Sequence, residues 1–440
     1  MKKLIVCGVV AAVAIVVAAA EKVRTVQDVL KEVNGRLERE FISHDGLVLD
    51  YEGDIPEAKE IAEHRPNALG WWTPIENGSM FTGEWLPALM AEGAAKKALV
   101  ERCVKGLIKM SEVSDVPGFI ARGTGRDGKS HYPCGSNDQT DPWFWGLLEY
   151  CRWPHADPAI KSNALDRLVF VARALEANGW GVPCDGAFKG ENRGNLNAKR
   201  MPFWGKSRLL YTLKTLHLLT GDAHWGELYG GIKASCISEI ESGGEDDAKV
   251  FKACFGDGVW IYVPTAQMLS RLTELEDNAL DKERMRKGLL HYAERVAPLM
   301  ELHSKYDNAK VRPFAYANWR EGYNWRPQKT QKEAESVAYS AKREVLGDRK
   351  EHERKFMTIP LAAAAVCALA DRDRYRDVIL ATLRHYDYDT PNVSEFFHAA
   401  IAASAMLPPQ VACCHQAAVA RTNRYQLSTA PNASRGHSGR

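Results

Sequence analysis

The sequence predicts an all-α chain, a toroid of six helical hairpins with long loops on one face. Three observations predict it. Apolar residues recur at helical spacing through most of the body, and strand-like alternation is scarce. Helical segments meet in pairs across very short turns, as at Leu219-Thr-Gly-Asp222 and Ala370-Asp-Arg-Asp373. An aromatic residue in or beside a long loop (Trp71, Trp143, Trp204, Trp260, Trp319, Tyr386) returns at intervals of roughly 60 residues, enough for two helices, a short turn and a long loop.

Taken in order, Lys2, Lys3, an apolar run from Leu4 to Ala20 and Ala18-Ala19-Ala20 before Glu21 read as a secretory signal peptide, 1–20, cleaved after Ala20. That expectation makes the body secreted or periplasmic, with no membrane span after signal removal; an uncleaved anchor is the alternative. Helices are expected at 22–40, 79–92, 94–113, 141–153, 157–178, 203–220, 223–241, 262–276, 281–303, 330–345, 352–370, 372–386 and 392–407. In 203–220, Leu209, Leu210, Leu213, Leu216 and Leu219 make a broad apolar face. Gly221 then ends that helix and Asp222 can cap the next. Six such pairs can close on themselves, with inner helices buried on all sides and outer helices amphipathic, which removes the exposed ends of an open array. The barrel is expected to occupy 21–407. Residues 408–440 are polar, carry Arg421, Arg424, Arg435 and Arg440 and no acid, and read as a disordered basic tail.

Bulk properties narrow the partners. Apolar residues are 45% of the chain, sufficient for a large core. Net charge is +2, and the cationic ends leave the body mildly acidic, which argues against a nucleic-acid groove. Ten cysteines show no C-x-x-C pattern and no zinc spacing, so no metal and no cofactor is expected. Cys134, Cys184 and Cys254 fall in loops, where one disulfide could form in an oxidising compartment. Gly123-Thr-Gly-Arg-Asp-Gly128 has dinucleotide spacing but lacks the flanking strand and helix.

The richest segment is Arg126-Asp-Gly-Lys-Ser-His-Tyr132 followed by Asn137-Asp-Gln-Thr-Asp141 and Trp143 to Trp145, acids and aromatics around a helix start. Together with Asn67-Ala-Leu-Gly-Trp-Trp-Thr-Pro-Ile-Glu-Asn-Gly78 and the turn at Leu219–Asp222, it resembles the six-hairpin glycosidase superfamily, the (α/α)6 barrels, over most of 21–407. The loops look like those of putative glycosyl hydrolases from exported bacterial sugar-degrading systems. That resemblance implies a secreted glycosidase with a catalytic barrel domain, acting on an oligosaccharide or polysaccharide, uronate-containing chains included. The superfamily also holds relatives among the uronate lyases.

Glycoside cleavage uses two carboxyl groups, one protonated and one ionised. Asp138 is the first candidate, among Asn137, Gln139 and Thr140, which can orient it; an Asx-turn role is its alternative. Glu76, before the helix expected at 79, is the second; a first-turn acid facing the helix dipole is its alternative. Asp141 is the third, although an N-cap before Pro142 explains it fully. Trp71, Trp72, Trp143 and Trp260 could stack on pyranose faces or pack in the core. Asn77, Arg126, Gln139 and Asp185 could bind hydroxyls or a uronate carboxylate, and Asp185 also suits a turn. His131 and Tyr132 could contact sugar, brace the loop, or supply the base of a uronate lyase. A non-catalytic sugar-binding toroid is the third reading.

Overall fold

Local chemistry sets the helix ends. In the computed structural model, residues 23–244, 259–309, 319–320 and 325–408 are described; the expected signal peptide and, beyond Pro408, the expected tail lie outside the described residues. Helix α1 (Val26–Glu40) opens on a capping box, with Asp28 N donating to Thr25 Oγ1 and Thr25 N to Asp28 Oδ2. A short α2 (Ala58–Ala62) is followed by α3 (Gly78–Met90), α4 (Lys97–Met110), α5 (Asn137–Arg152), α6 (Pro158–Ala177), α7 (Phe203–Thr220) and α8 (Ala223–Glu241). Then come α9 (Val259–Leu275), α10 (Ala279–Val296), α11 (Gln331–Glu353), α12 (Ile359–Asp371), α13 (Arg376–His385) and α14 (His398–Met406). Gly221 adopts the left-handed conformation expected of a helix C-terminus, φ 70°, and the Asp222 carboxylate receives His224 N.

Three expectations about elements need correction. Strand β1 (Gly181–Pro183) pairs antiparallel with β2 (Asn192–Asn195), a hairpin too short for sequence alternation to register. The break expected between 345 and 352 is absent: α11 runs on to Glu353 and joins α12 through a π-turn at Arg354–Thr358. Helix α5 starts at Asn137, not Asp141, with Ser136 extended ahead of it. Asp141 is therefore no N-cap. It lies inside the helix, and Pro142 is accommodated there, withholding the amide that the Asp138 carbonyl would otherwise receive.

Burial sorts the helices into two kinds. Helices α3, α7, α12 and α14 are buried on nearly every side. Helices α6, α8 and α10 bury one stripe each, such as Ala164, Leu168, Val171, Ala172 and Leu175 on α6. The enclosed helices neighbour one another in series: α3 packs on α5, α5 on α7, α7 on α9, α9 on α12, α12 on α14, and α14 returns to α3 and α1. One continuous apolar core runs through them, from Val29 to Met406.

Long connections precede α3, α5, α7 and α14, and short turns follow α3, α5, α7, α9 and α12. The connections interlock. Tyr51 bridges Val393, and Ser394 N donates to Asp50 O at 2.9 Å. Trp319 Nε1 donates to Asp54 O at 2.7 Å, Ala68 N to Gln328 Oε1 at 2.7 Å, and Asp185 N to Pro133 O at 2.7 Å. Each bond satisfies a polar group that the neighbouring loop would otherwise bury unpaired.

Candidate active site

The start of α5 is held from both sides. The Asn137 side chain exchanges hydrogen bonds with the Asn195 backbone, Nδ2 to O at 2.8 Å and N to Oδ1 at 2.7 Å, which docks the β-hairpin on the helix end. Gln139 donates to Asn77 Oδ1 at 3.2 Å and accepts from Met80 N at 3.1 Å. Asn77 in turn is gripped by the buried Asp50 carboxylate through N (2.8 Å) and Nδ2 (2.7 Å). The chain Asp50–Asn77–Gln139 thus fixes the start of α3 against the start of α5. Asp138, second residue of α5, sits at the positive end of the helix with Oδ1 buried and without a hydrogen-bond partner.

Arg122 lies beneath this frame, 1% exposed. Its Nη1 donates to Glu76 O and its Nη2 to Ser136 Oγ, both at 3.0 Å. Burial pulls its pKa down, and the charges of Asp138 and Glu76 act in the opposite direction, so its guanidinium is near both carboxylates. Glu76 itself receives Trp72 N at 2.7 Å, bracing a residue whose φ is +75°.

A turn and a half further along α3, the chain places Glu84 with no exposed surface. Its pKa is raised: desolvation pushes it up, and His398, Arg208 and Asp138 are the charges that act on it. Neither carboxyl oxygen has a hydrogen-bond partner; His398 Nε2 stands 3.7 Å away, in ion-pair but not hydrogen-bond range. Nδ1 of His398 faces the Glu395 carbonyl at 2.7 Å and must carry a proton there. Burial also raises Asp141, to about 6, against the opposing charge and hydrogen bond of Arg208. Arg208 is fully buried, bonding Asp141 Oδ2 (3.3 Å), Thr265 Oγ1 (3.1 Å) and Ile261 O (2.9 Å). Gln267 donates to the Glu84 carbonyl at 2.9 Å.

Glycine sets this spacing. A Cβ at Gly83 would overlap the Pro142 carbonyl, and Gly146 lies against Gly83. Helices α3 and α5 touch backbone to backbone there, which brings Glu84 beside the carboxylates of α5. Acids, amides and bases of α3, α5, α7, α9 and α14 therefore converge on one buried polar cluster.

The other expected site residues divide. Trp71 is half-buried, edge-on to Tyr339 at 5.4 Å, with the Arg193 guanidinium 5.5 Å from its ring; Tyr339 is 59% exposed, so this aromatic surface opens to solvent. Trp72 is buried and donates its indole N–H to Ala338 O at 2.9 Å. Trp143, expected at a sugar, packs fully buried in the core and donates to Leu107 O at 2.7 Å, because the earlier start of α5 turns it toward α4. Tyr132 is buried under Gly70 and its hydroxyl bonds Arg65 O. Arg126 is on the surface beside Asp54 and Glu57. His131 pairs with Asp185 at 2.7 Å, away from the Glu84 cluster. The side chain of Trp260 lies outside the described residues.

Sequence reasoning passed over Glu84, Arg208, Gln267 and His398. Their signal was a charged residue inside an otherwise apolar helix, as in Met80-Phe-Thr-Gly-Glu84-Trp-Leu86. Buried charges are rare enough for that to count as a mark of function. Among the described residues, no group of three or more His, Cys, Asp or Glu could hold a metal ion, and no helix is long and apolar enough to cross a membrane. No family model, no curated protein and no solved structure matches this chain.

Proposed function

We propose that the protein is an exported glycoside hydrolase whose helices form an (α/α)6 barrel of six hairpins, with its carboxyl pair among the enclosed helices. The barrel reading is supported by the cyclic order of α3, α5, α7, α9, α12 and α14 and by the alternation of enclosed and one-faced helices along the chain. The activity reading is carried by one observation: Glu84, fully buried, with a raised pKa and neither oxygen hydrogen-bonded, has Asp138 among the charges that act on it. The packing gives it His398 as an ion-pair neighbour at 3.7 Å but no hydrogen bond, and a buried carboxyl without one costs stability.

Glu84 takes the role of general acid: burial raises its pKa and so favours the protonated form that can donate to a departing glycosidic oxygen. Asp138 takes the second role, activating water or attacking the anomeric carbon, with Asn137 and Gln139 holding its helix end in register. Arg208 and Asp141 position the pair. Glu76, bound to Trp72 N, is assigned a bracing role in place of the catalytic one. Trp71 and Tyr339 offer an open aromatic platform for a pyranose ring. The lyase reading receives less support, since the Tyr132 hydroxyl it would use as base is engaged by Arg65 O.

The test is reducing-end release from a panel of neutral and uronate-containing oligosaccharides. Glu84→Gln and Asp138→Asn should each lower kcat by about 10²–10⁴-fold with folding intact. Folded wild-type protein that releases nothing from any glycan would sink the hydrolase reading. A rise in ultraviolet absorbance from a conjugated uronate product, lost in Tyr132→Phe, would favour the lyase instead.

A further inference from the structure

Two thiols have no part in that chemistry, yet they face each other across the loops that carry it. Cys134 lies in the connection leading to α5, shortly before Asp138, and Cys184 follows β1, directly before Asp185. Their segments run side by side. Asp185 N donates to Pro133 O at 2.7 Å, and Gly135 packs on the Pro183 carbonyl so closely that a Cβ would overlap it. Cys134 and Cys184 are thus opposite one another across this contact, in one buried cluster, and each thiol acts on the titration of the other. Both are free and buried, covered by Ala68, Leu69, Phe188, Ala334 and Ala338. Other free cysteines of the described residues aim elsewhere, Cys151 at Lys161 O and Cys367 at Ala293 O, each at 3.8 Å.

We propose that Cys134 and Cys184 become joined by a disulfide as the chain folds in an oxidising compartment, stapling the loop ahead of α5 to the β1–β2 hairpin. Residues opposite each other between two such backbone contacts have Cα atoms about 4.5–5.5 Å apart, within the span of a disulfide, so closing the bond requires little backbone movement. The oxidant is a low-molecular-weight disulfide such as glutathione disulfide, and it acts before the apolar cover closes. Cys184 attacks first, because its surroundings favour the thiolate while those of Cys134 disfavour it. It forms a mixed disulfide and releases one small thiol. The Cys134 thiolate then attacks the Cys184 sulfur and releases the second. Two protein thiols are oxidised and one external disulfide is reduced to two thiols. The staple acts on the site through Asn137, which joins the start of α5 to Asn195 of the same hairpin.

The test uses the full-length chain, unfolded and refolded in a glutathione redox buffer, blocked with N-ethylmaleimide and digested with trypsin without reductant. The expected product is the peptide Ser130–Arg152, with or without one N-ethylmaleimide on Cys151, linked to Ala174–Lys189 with the loss of two hydrogens. Fragment ions should place the link at Cys134 and not at Cys151. The oxidised protein should also melt above the reduced one, and Cys184→Ser should abolish the difference. Refolded protein carrying N-ethylmaleimide on both Cys134 and Cys184, or a link from Cys184 to any other cysteine, overturns the proposal. Should Cys184→Ser fail to fold, the peptide link in the wild-type protein decides alone.

Discussion

Glu84 is a residue whose environment works against stability. Its carboxyl is fully buried with no hydrogen bond, while the surrounding helices are close-packed. If it is kept for chemistry, Glu84→Met should abolish turnover and raise the unfolding free energy by about 1–3 kcal/mol, because a buried unpaired acid is replaced by apolar atoms of similar volume. A loss of about 3–5 kcal/mol in urea unfolding would instead mean that Glu84 is half of a structural pair with His398. The His131–Asp185 pair makes the opposite case. The His131 hydrogen bond holds Asp185 at about 2, below its ordinary 3.8. Burial alone would lower His131, but its bonds to Asp185 and to Lys129 O outweigh burial and raise it above 6.5. The Asp185 contribution is complete above pH 3.8 and is lost as pH falls through about 2. The His131 contribution is complete below pH 6.5 and is lost as pH rises through its higher folded value. The pair is therefore strongest between those limits. Wild type should exceed His131→Gln by about 1–2 kcal/mol there, with the gap shrinking on either side; a gap independent of pH would leave the pair without this role.

At the scale of elements, the contact between α3 and α5 matters most for the site. It depends on Gly83, which lies against the Pro142 carbonyl, and on Gly146 opposite. Gly83→Ala would improve helix propensity by about 1 kcal/mol in an isolated helix. Here the added methyl meets backbone that cannot step aside. We expect a net loss of about 1–3 kcal/mol in denaturant midpoint experiments, with kcat reduced as Glu84 is displaced from α5. A stability gain would show that the two helices can separate freely. The junction of α11 and α12 makes a related point: Gly347 costs too little helix propensity to stop a long helix, so the expected break did not appear.

At the scale of the whole molecule, α14 is the element to test. It packs on α1, α3 and α12, so the last of the described helices joins the first ones. A chain ending at Phe397 would leave those faces bare. It should lose the single cooperative thermal transition and bind a hydrophobic dye at temperatures where the full chain does not. A truncated chain that still melts in one sharp transition would argue against the barrel. The loops interlock as well, across Tyr51–Val393, Trp319–Asp54 and Gln328–Ala68.

The sequence by itself determined the helical class, most helix positions and the turn at Gly221–Asp222, because periodicity, capping and glycine act over a few neighbouring residues. It also named Asp138 as a candidate, with Asn137, Gln139 and Thr140 beside it, and Asn77 only as a sugar-binding candidate. It misjudged where α5 begins, since Asp141-Pro142 satisfies the local pattern of a helix start and nothing local reveals that Ser136 already supplies one. Only the tertiary structure decided which acids meet. Glu84 and Asp138 lie on different helices, and it is a glycine contact between those helices, invisible to any local pattern, that gathers them with Arg208 and His398 into one buried cluster.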